Sequence, residues 1–308
     1  MLDLSIIIPT YDEQDNVEPL YQALMATVPG LGRSFEIIFV DDGSRDQTFQ
    51  RLAALTADDP RVRVVKLRRN YGQAPAMAAG IDHARGGVLV TMDADLQNDP
   101  ADIGGLLAKL EEGYDLVVGW RHERQDKWLS RKLPSIIANR LIASITGVDV
   151  KDNGCTLKAF RADLIRQVRL YGELHRFIPA MTSTVGCQLA EVKVRHHPRR
   201  FGRSKYGLSR IYKVLLDIVT IKTLIIFARR PLFCFFSIAG GALLVSALFT
   251  VLSILFIGES VVVFMSVAIL GGSLALFLGF AGVISSLVSQ YGGDRLVPLQ
   301  PTAGDDRR

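Results

Sequence analysis

Two aspartates one residue apart, Asp93 and Asp95, close the apolar run VLVTM and are followed by Gln97 and Pro100. Two carboxylates and an amide oxygen are hard-oxygen ligands suited to Mg2+ or Mn2+, and substrate phosphates commonly complete the shell of such an ion. Side chains alternate along an extended segment, so residues 93, 95 and 97 are expected to project to one side. The plain alternative is a solvated loop in which Asp95 or Asn98 caps a helix opening at Pro100. Polar residues gather at the ends of other apolar runs too. Thr10, Tyr11 and Glu13 follow the first, Asp41 and Asp42 the second, Arg68, Arg69 and Asn70 the third, and Arg121 the fifth.

The elements that must carry these residues are legible as an alternation. LSIIIPTY, FEIIFVDDGS, RVRVVKL, GVLVTMDAD and YDLVVGW read as five strands. Between them, NVEPLYQALMATV has helical spacing at Val17, Leu20, Leu24 and Val28. QTFQRLAALTA, with Asp46 placed to cap it, GQAPAMAAGIDHA and PADIGGLLAKLEEG read as further helices. Strand–helix alternation predicts an α/β fold, a mostly parallel sheet covered on both faces, with ligands outside the carboxyl ends of the strands. The chain has neither G-x-G-x-x-G nor G-x-x-x-x-G-K-[ST], so the phosphate-cradling glycines of dinucleotide and P-loop folds are missing. Phosphate charge must then be met by metal, arginine or lysine.

The 308 residues, 49% hydrophobic, are not uniform. From Pro231 to Gly293 the only charge is Glu259, and each side of it is long enough to cross a hydrocarbon layer of about 30 Å. A transmembrane hairpin is expected, about 231–257 and 261–290, with a tail at 294–308. Arg229 and Arg230 precede it, and Arg295, Arg307 and Arg308 follow it. With no signal-like stretch after Met1, the positive-inside rule predicts an inner-membrane protein whose catalytic domain and both termini face the cytoplasm. The segments 128–146 and 206–230 mix basic and apolar residues at near-helical spacing and read as interfacial helices. The net charge of +5 is better explained by an anionic membrane surface than by nucleic acid. Cys155, Cys187 and Cys234 have no metal or redox spacing and read as reduced packing residues, and His197 before Pro198 reads as structural.

LSIIIPTYDEQDNV, VDDGSRDQT, LRRNYGQ, DADLQNDP and GRSKYG together resemble the family 2 glycosyltransferases of GT-A fold. NYGQ, EGYDLVVGWRHERQDKW, NGCTLKAFR and HRFIPAM narrow the resemblance to the polyprenyl-phosphate glycosyltransferases, above all the ArnC type, with GtrB-type and dolichol-phosphate mannose synthase enzymes beside it. The resemblance covers nearly the whole chain. It implies a 1–205 GT-A domain that inverts the anomeric centre. One sugar would pass from a nucleotide diphosphate, UDP-linked, to polyprenyl phosphate, with Mg2+ or Mn2+ required. Carried over by position, Pro9, Tyr11 and Glu13 match the first nucleotide-binding loop, and Asp42, with Asp41 beside it, matches the acid that reads the base. Asp93, Asp95 and Gln97 match the metal–diphosphate site, and Asp152 a position facing the donor sugar. Arg199 and Lys205 match the segment that closes on the diphosphate, and Arg121, Arg131 and Ser135 the group holding the lipid phosphate. Asp93, Asp95 and Arg121 are thus the candidate catalytic residues. DNGC departs from the longer Pro-Thr-Ser-Gly form of mannose synthases, which counts against GDP-mannose. The absence of Q-x-x-R-W fits a single transfer rather than polymerisation. Glucosyl or N-acetylhexosaminyl transfer, an inactive membrane scaffold and a metal-dependent phosphatase are the alternatives. A homo-oligomer is compatible with all of them.

Overall fold

The computed structural model describes residues 2–122, 139–140, 142–144, 146–168, 174–182, 186–198, 220, 223, 231–256, 258 and 260–291. Arg131, Ser135, Arg199 and Lys205 lie outside the described residues. The chain divides into two compact units, residues 1–219 and 220–308.

In the first unit, strands β1 (Leu2–Thr10), β2 (Phe35–Asp41), β3 (Val62–Lys66), β4 (Gly86–Thr91), β5 (Leu116–Arg121), β6 (Lys158–Arg161) and β7 (Leu189–Val194) form one sheet. Its order is β3-β2-β1-β4-β6-β5-β7. Every pairing is parallel except those of β6, which runs against both β4 and β5. The fifth expected strand therefore does not lie beside the fourth. A strand with no expectation attached, only four residues long, stands between them.

Helices α1 (Gln14–Thr27), α2 (Thr48–Asp58), α3 (Gln73–His83) and α4 (Ile103–Glu111) follow β1, β2, β3 and β4. Strand side chains alternate between two hydrophobic clusters. Ile6, Ile37, Phe39 and Val90 join the one holding Leu20, Leu52 and Leu106, from α1, α2 and α4. Ile7, Ile38, Val40 and Leu89 join the other, with Met77 and Ile81 of α3. This is the two-layer burial expected when helices cover both faces of a parallel sheet. The small residues of α3 let it lie close. A methyl group on Gly80 would collide with the Ile7 side chain and crowd Val40. β1 and β2 run on to Thr10 and Asp41 and β4 stops at Thr91, so Tyr11, Asp42 and Asp93 lie in loops at the carboxyl edge.

In the second unit, α5 (Pro231–Leu255) and α6 (Ser260–Tyr291) pack along each other. Ser246 Oγ donates to the Ala268 carbonyl at 2.6 Å, and Gly271 lies against Ser246 where a Cβ would come within 3.1 Å. Pro231–Leu255 and Ser260–Val288 are long and apolar enough to cross a membrane. Large side chains such as Leu244, at 74% exposure, cover their outer faces.

Candidate active site

The loops after β1 and β2 are laced together. Asp12, in the left-handed region at φ +49, accepts the Arg45 amide on Oδ1 at 2.7 Å, and its own N–H donates to Ser44 Oγ at 3.0 Å. The Glu13 amide donates to Thr48 Oγ1 at 2.9 Å, and the Gln47 amide to Gln14 Oε1 at 3.0 Å. The N-cap of α2 is Gln47, not the expected Asp46, which from one residue earlier accepts the Thr48 amide at 2.9 Å. Tyr11 and Glu13 thus share one braced wall with Asp41 and Asp42, and Pro9 precedes them in β1, opposite Val40. Glu13 is also engaged locally, its Oε2 accepting Asn16 Nδ2 at 2.5 Å where α1 begins.

Asp41 and Asp42 are both buried but differ in use. Asp42 accepts the Tyr71 amide on Oδ1 and the Gly72 amide on Oδ2, both at 2.8 Å. It therefore ties the start of α3 to the end of β2. Burial lifts its carboxyl above the ordinary value, the two amide bonds oppose the rise, and Asp41 alongside adds to it. Asp41 accepts the Ser44 amide on Oδ1 at 3.1 Å, while its buried Oδ2 has no hydrogen-bond donor among the described residues. The close approach of these loops requires Gly43, at φ +70, where a Cβ would stand 2.5 Å from the Arg69 carbonyl carbon.

The segment after β4 does not continue as a strand, so the expected alternation of residues 93, 95 and 97 fails. β4 ends at Thr91, and the chain bends through Ala94–Leu96. Leu96 takes φ +60, a conformation uncommon for a residue with a branched side chain. The Gln97 amide folds back to Asp95 Oδ1 at 3.2 Å. The helical turn at Pro100 is capped by neither Asp95 nor Asn98 but by Asp99, which accepts the Ala101 amide at 2.9 Å. Asp99 also takes His197 Nε2 at 3.2 Å and pairs with Arg195 at 3.0 Å. A bridge between Asn98 and His196, with the His197 amide donating to the Gln97 carbonyl at 2.9 Å, ties the segment after β7 to this loop.

Asp93 is held from two sides, by Gln73 Nε2 on Oδ1 at 2.7 Å and by Thr156 Oγ1 on Oδ2 at 2.6 Å. Gln97 Nε2 turns to the His197 carbonyl at 3.4 Å, and its amide oxygen accepts no hydrogen bond among the described residues. Among the described residues no three His, Cys, Asp or Glu side chains converge as a metal cluster. Two carboxylates and one amide oxygen are nonetheless a donor set that fits Mg2+ or Mn2+, which take one or two carboxylates and leave positions for phosphate and water.

Arg121 and Asp152 occupy each other. Nε donates to Oδ2 at 2.7 Å and Nη2 to Oδ1 at 2.9 Å, with side chains 12% and 5% exposed. Burial works to lower the pKa of Arg121, and the bond to Asp152 outweighs it, so the guanidinium stays charged. Below this pair lies Lys158, fully enclosed, its Nζ donating to the Cys155 carbonyl and, at 3.4 Å, to that of Asn153. Burial brings Lys158 down to about 8 and pushes the Cys155 thiol up to about 11. No role was expected of Asp12, Gln73, Thr156 and Lys158, and of Asn98 only that of a helix cap. Gln73 and Thr156 stand inside quoted motifs, but their partners are 20 and 63 residues away.

The family model for glycosyl transferase family 2 matches residues 5–169. The chain belongs to this family. It is 44% identical over 244 residues to a dodecaprenyl-phosphate galacturonate synthase of Rhizobium johnstonii, covering 78% of this chain and 72% of that protein. It is 39% identical over 221 residues to an undecaprenyl-phosphate 4-deoxy-4-formamido-L-arabinose transferase of Shewanella sediminis, covering 71% and 66%. Among solved structures, glucosyl-3-phosphoglycerate synthase from Mycobacterium tuberculosis in complex with Mn2+, UDP and glucosyl-3-phosphoglycerate superposes with TM-score 0.54. The identity is 17%, over 71% of this chain and 78% of that one. S. aureus TarS 1–349 in complex with UDP-GlcNAc gives 0.52 and 16%, over 71% and 66%. These likenesses identify the GT-A fold. The family 2 glycosyltransferase is therefore built as expected, with its polar loops on the carboxyl edge of a GT-A sheet.

Proposed function

We propose that this glycosyltransferase moves one sugar from a nucleoside diphosphate sugar, UDP-linked, to polyprenyl phosphate at the cytoplasmic face of the inner membrane, inverting the anomeric carbon. The observation that carries the reading is the similarity to the polyprenyl-phosphate galacturonate synthase, which runs through most of both chains. The apolar pair α5 and α6 supports a membrane acceptor, and the hard-oxygen set at Asp93, Asp95 and Gln97 supports a nucleotide diphosphate donor.

The acceptor phosphate is already anionic near neutral pH, its second pKa being about 6, so no general base is needed. One of its oxygens attacks the anomeric carbon from the face opposite the diphosphate. The bond to the diphosphate oxygen breaks, and UDP leaves with the electron pair. A divalent cation held by Asp93, Asp95 and Gln97 would supply charge neutralisation for the departing diphosphate. Tyr11 and the wall formed by Asp41 and Asp42 would receive the nucleoside. Asp42, its carboxylate fixed by the Tyr71 and Gly72 amides, would read the base, with Asp41 beside it. Arg121, Arg131 and Ser135 would hold the acceptor phosphate, Asp152 would face the sugar, and Arg199 and Lys205 would close on the diphosphate. Positioning two bound substrates supplies much of the barrier reduction in such a transfer.

The test is transfer by the purified full chain in detergent, with undecaprenyl phosphate and a panel of UDP-galacturonate, UDP-4-deoxy-4-formamido-L-arabinose, UDP-glucose, UDP-N-acetylglucosamine and GDP-mannose. The expected result is cation-dependent formation of one lipid-linked sugar from a UDP donor. No lipid product from any donor, with Mg2+ or with Mn2+, refutes the reading.

A further inference from the structure

Three segments meet on the Asp93 carboxylate. Gln73, which opens α3, reaches Oδ1, and Thr156, from the turn before β6, reaches Oδ2. Thr156 is itself held twice. Thr91 Oγ1 donates to its carbonyl at 2.7 Å, and Asn98 Nδ2 donates to its hydroxyl at 3.1 Å. Thr156 and Asn98 are 7% and 3% exposed, so water has little access to replace these bonds.

The direction of the chain follows from counting protons. A threonine hydroxyl has one proton and accepts on its remaining lone pairs, and a carboxamide nitrogen only donates. The bond from Asn98 therefore takes the hydroxyl as acceptor and commits its single proton to Asp93. With the amide turned over, one proton would have to serve two acceptors. Hydroxyl-to-carboxylate bonds of this length are among the strong ones.

We propose that Thr156 is a positioning residue, which holds the Asp93 carboxylate in one orientation before cation and donor arrive, with Asn98 setting the direction of its hydroxyl and Gln73 fixing the second oxygen. The inference rests on the reading of Asp93 and Asp95 as cation ligands. The turn from Asp152 to Lys158 thereby acts on the cation site without touching it.

The experiment uses the full chain in detergent and reads Mn2+ binding at saturating UDP by calorimetry, UDP binding without metal, and kcat and KM for transfer. Thr156→Val keeps the shape and removes the hydroxyl. It is expected to weaken Mn2+ binding about tenfold, one bond's worth of orientation, and to lower kcat. UDP binding without metal and the acceptor KM should be unchanged. Thr156→Ser is expected to restore binding to within about threefold of wild type. Gln73→Met, which removes the bond on the other oxygen, should weaken Mn2+ in the same sense and covers the case in which Thr156→Val does not fold. Asp95→Ala separates the two levels of the argument. Wild-type protein that binds no Mn2+, or Asp95→Ala that binds it normally, overturns the cation reading and this inference with it. Mn2+ lost in Asp95→Ala but bound normally by folded Thr156→Val overturns the inference alone. So does Thr156→Ser as impaired as the valine variant.

Discussion

Replacing Asp152 by asparagine removes one charge from a pair that is almost entirely out of water. Arg121 keeps its proton at any working pH, so Asp152→Asn leaves a buried guanidinium with a neutral partner. Breaking a buried pair costs about 3–5 kcal/mol. The asparagine oxygen keeps one neutral hydrogen bond, worth about 1 kcal/mol, so the expected loss is about 2–4 kcal/mol. For a unit of this size, residues 1–219, each kcal/mol moves Tm by roughly 2–4 °C, which places the fall at about 4–16 °C. Arg121→Gln is expected to cost less, because Asp152 can take up a proton once the guanidinium is gone, whereas Arg121 cannot release one. In the double variant two carboxamides face each other. Its loss should be smaller than the sum of the single losses by at least about 1 kcal/mol. Thermal unfolding of the three detergent-solubilised proteins, followed by tryptophan fluorescence and scattering, reads all of this. Additive losses would refute the claim that the two side chains stabilise each other, and would leave Asp152 to act on the donor independently of Arg121.

Three further outcomes are expected. Gly43→Ala, forced to hold φ +70 against the Arg69–Asn70 backbone, should lose at least about 1–2 kcal/mol of stability. It should also weaken UDP binding about tenfold by loosening the loop that Asp42 anchors; unchanged calorimetric affinity would show that this loop does not shape the nucleotide wall. Lys158 has a folded-state pKa of about 8, below its unfolded value of 10.5, so the unfolded chain binds the extra proton and stability rises as pH passes upward through 8. Above pH 9 the Cys155 thiol, held at about 11 when folded, ionises first in the unfolded chain and offsets the Lys158 gain. Tm should therefore climb between pH 7.5 and about 9 and then level, and Lys158→Met should abolish the climb; identical profiles would disprove the burial argument. Arg131→Ala should raise the KM for polyprenyl phosphate and leave UDP affinity unchanged, and an equal loss of UDP affinity would assign Arg131 to the donor.

The parts of the fold that could be read from sequence are those whose signal is local. Ile6–Ile8 and Ile37–Val40 are apolar runs bounded by turns, and the spacing of Val17, Leu20 and Leu24 belongs to a helix face, so β1, β2 and α1 stand within a few residues of expectation. β6 has only Lys158–Arg161, begins with a buried lysine, and gains its place from strands on either side, which no short window records. The site divides in the same way. Carboxylates at strand ends were visible by type and place. The use of each was not, because it depends on partners far along the chain: Tyr71 and Gly72 for Asp42, Thr156 for Asp93, Arg121 for Asp152. The turn at Leu96 carries no glycine or asparagine to announce a positive φ, so an extended reading of residues 93–97 had nothing local to oppose it.

The reversed strand also works as a ruler. β4 and β6 pair with Val90 opposite Ala159 and Thr91 opposite Lys158. Counting on by two residues sets Asp93 opposite Thr156, the pair that is hydrogen bonded. A slip of one residue would send every side chain of β6 to the wrong face. A slip of two keeps the faces but sets either Gly154, which has nothing to donate, or Lys158, a full charge, against Asp93. The number of residues between β5 and Asp152 can therefore change without altering the pairing, while one residue gained or lost between Thr156 and Lys158 would miscount it. The spacing T-L-K is where this chain is least tolerant of insertion, although none of those three side chains is expected to touch a substrate.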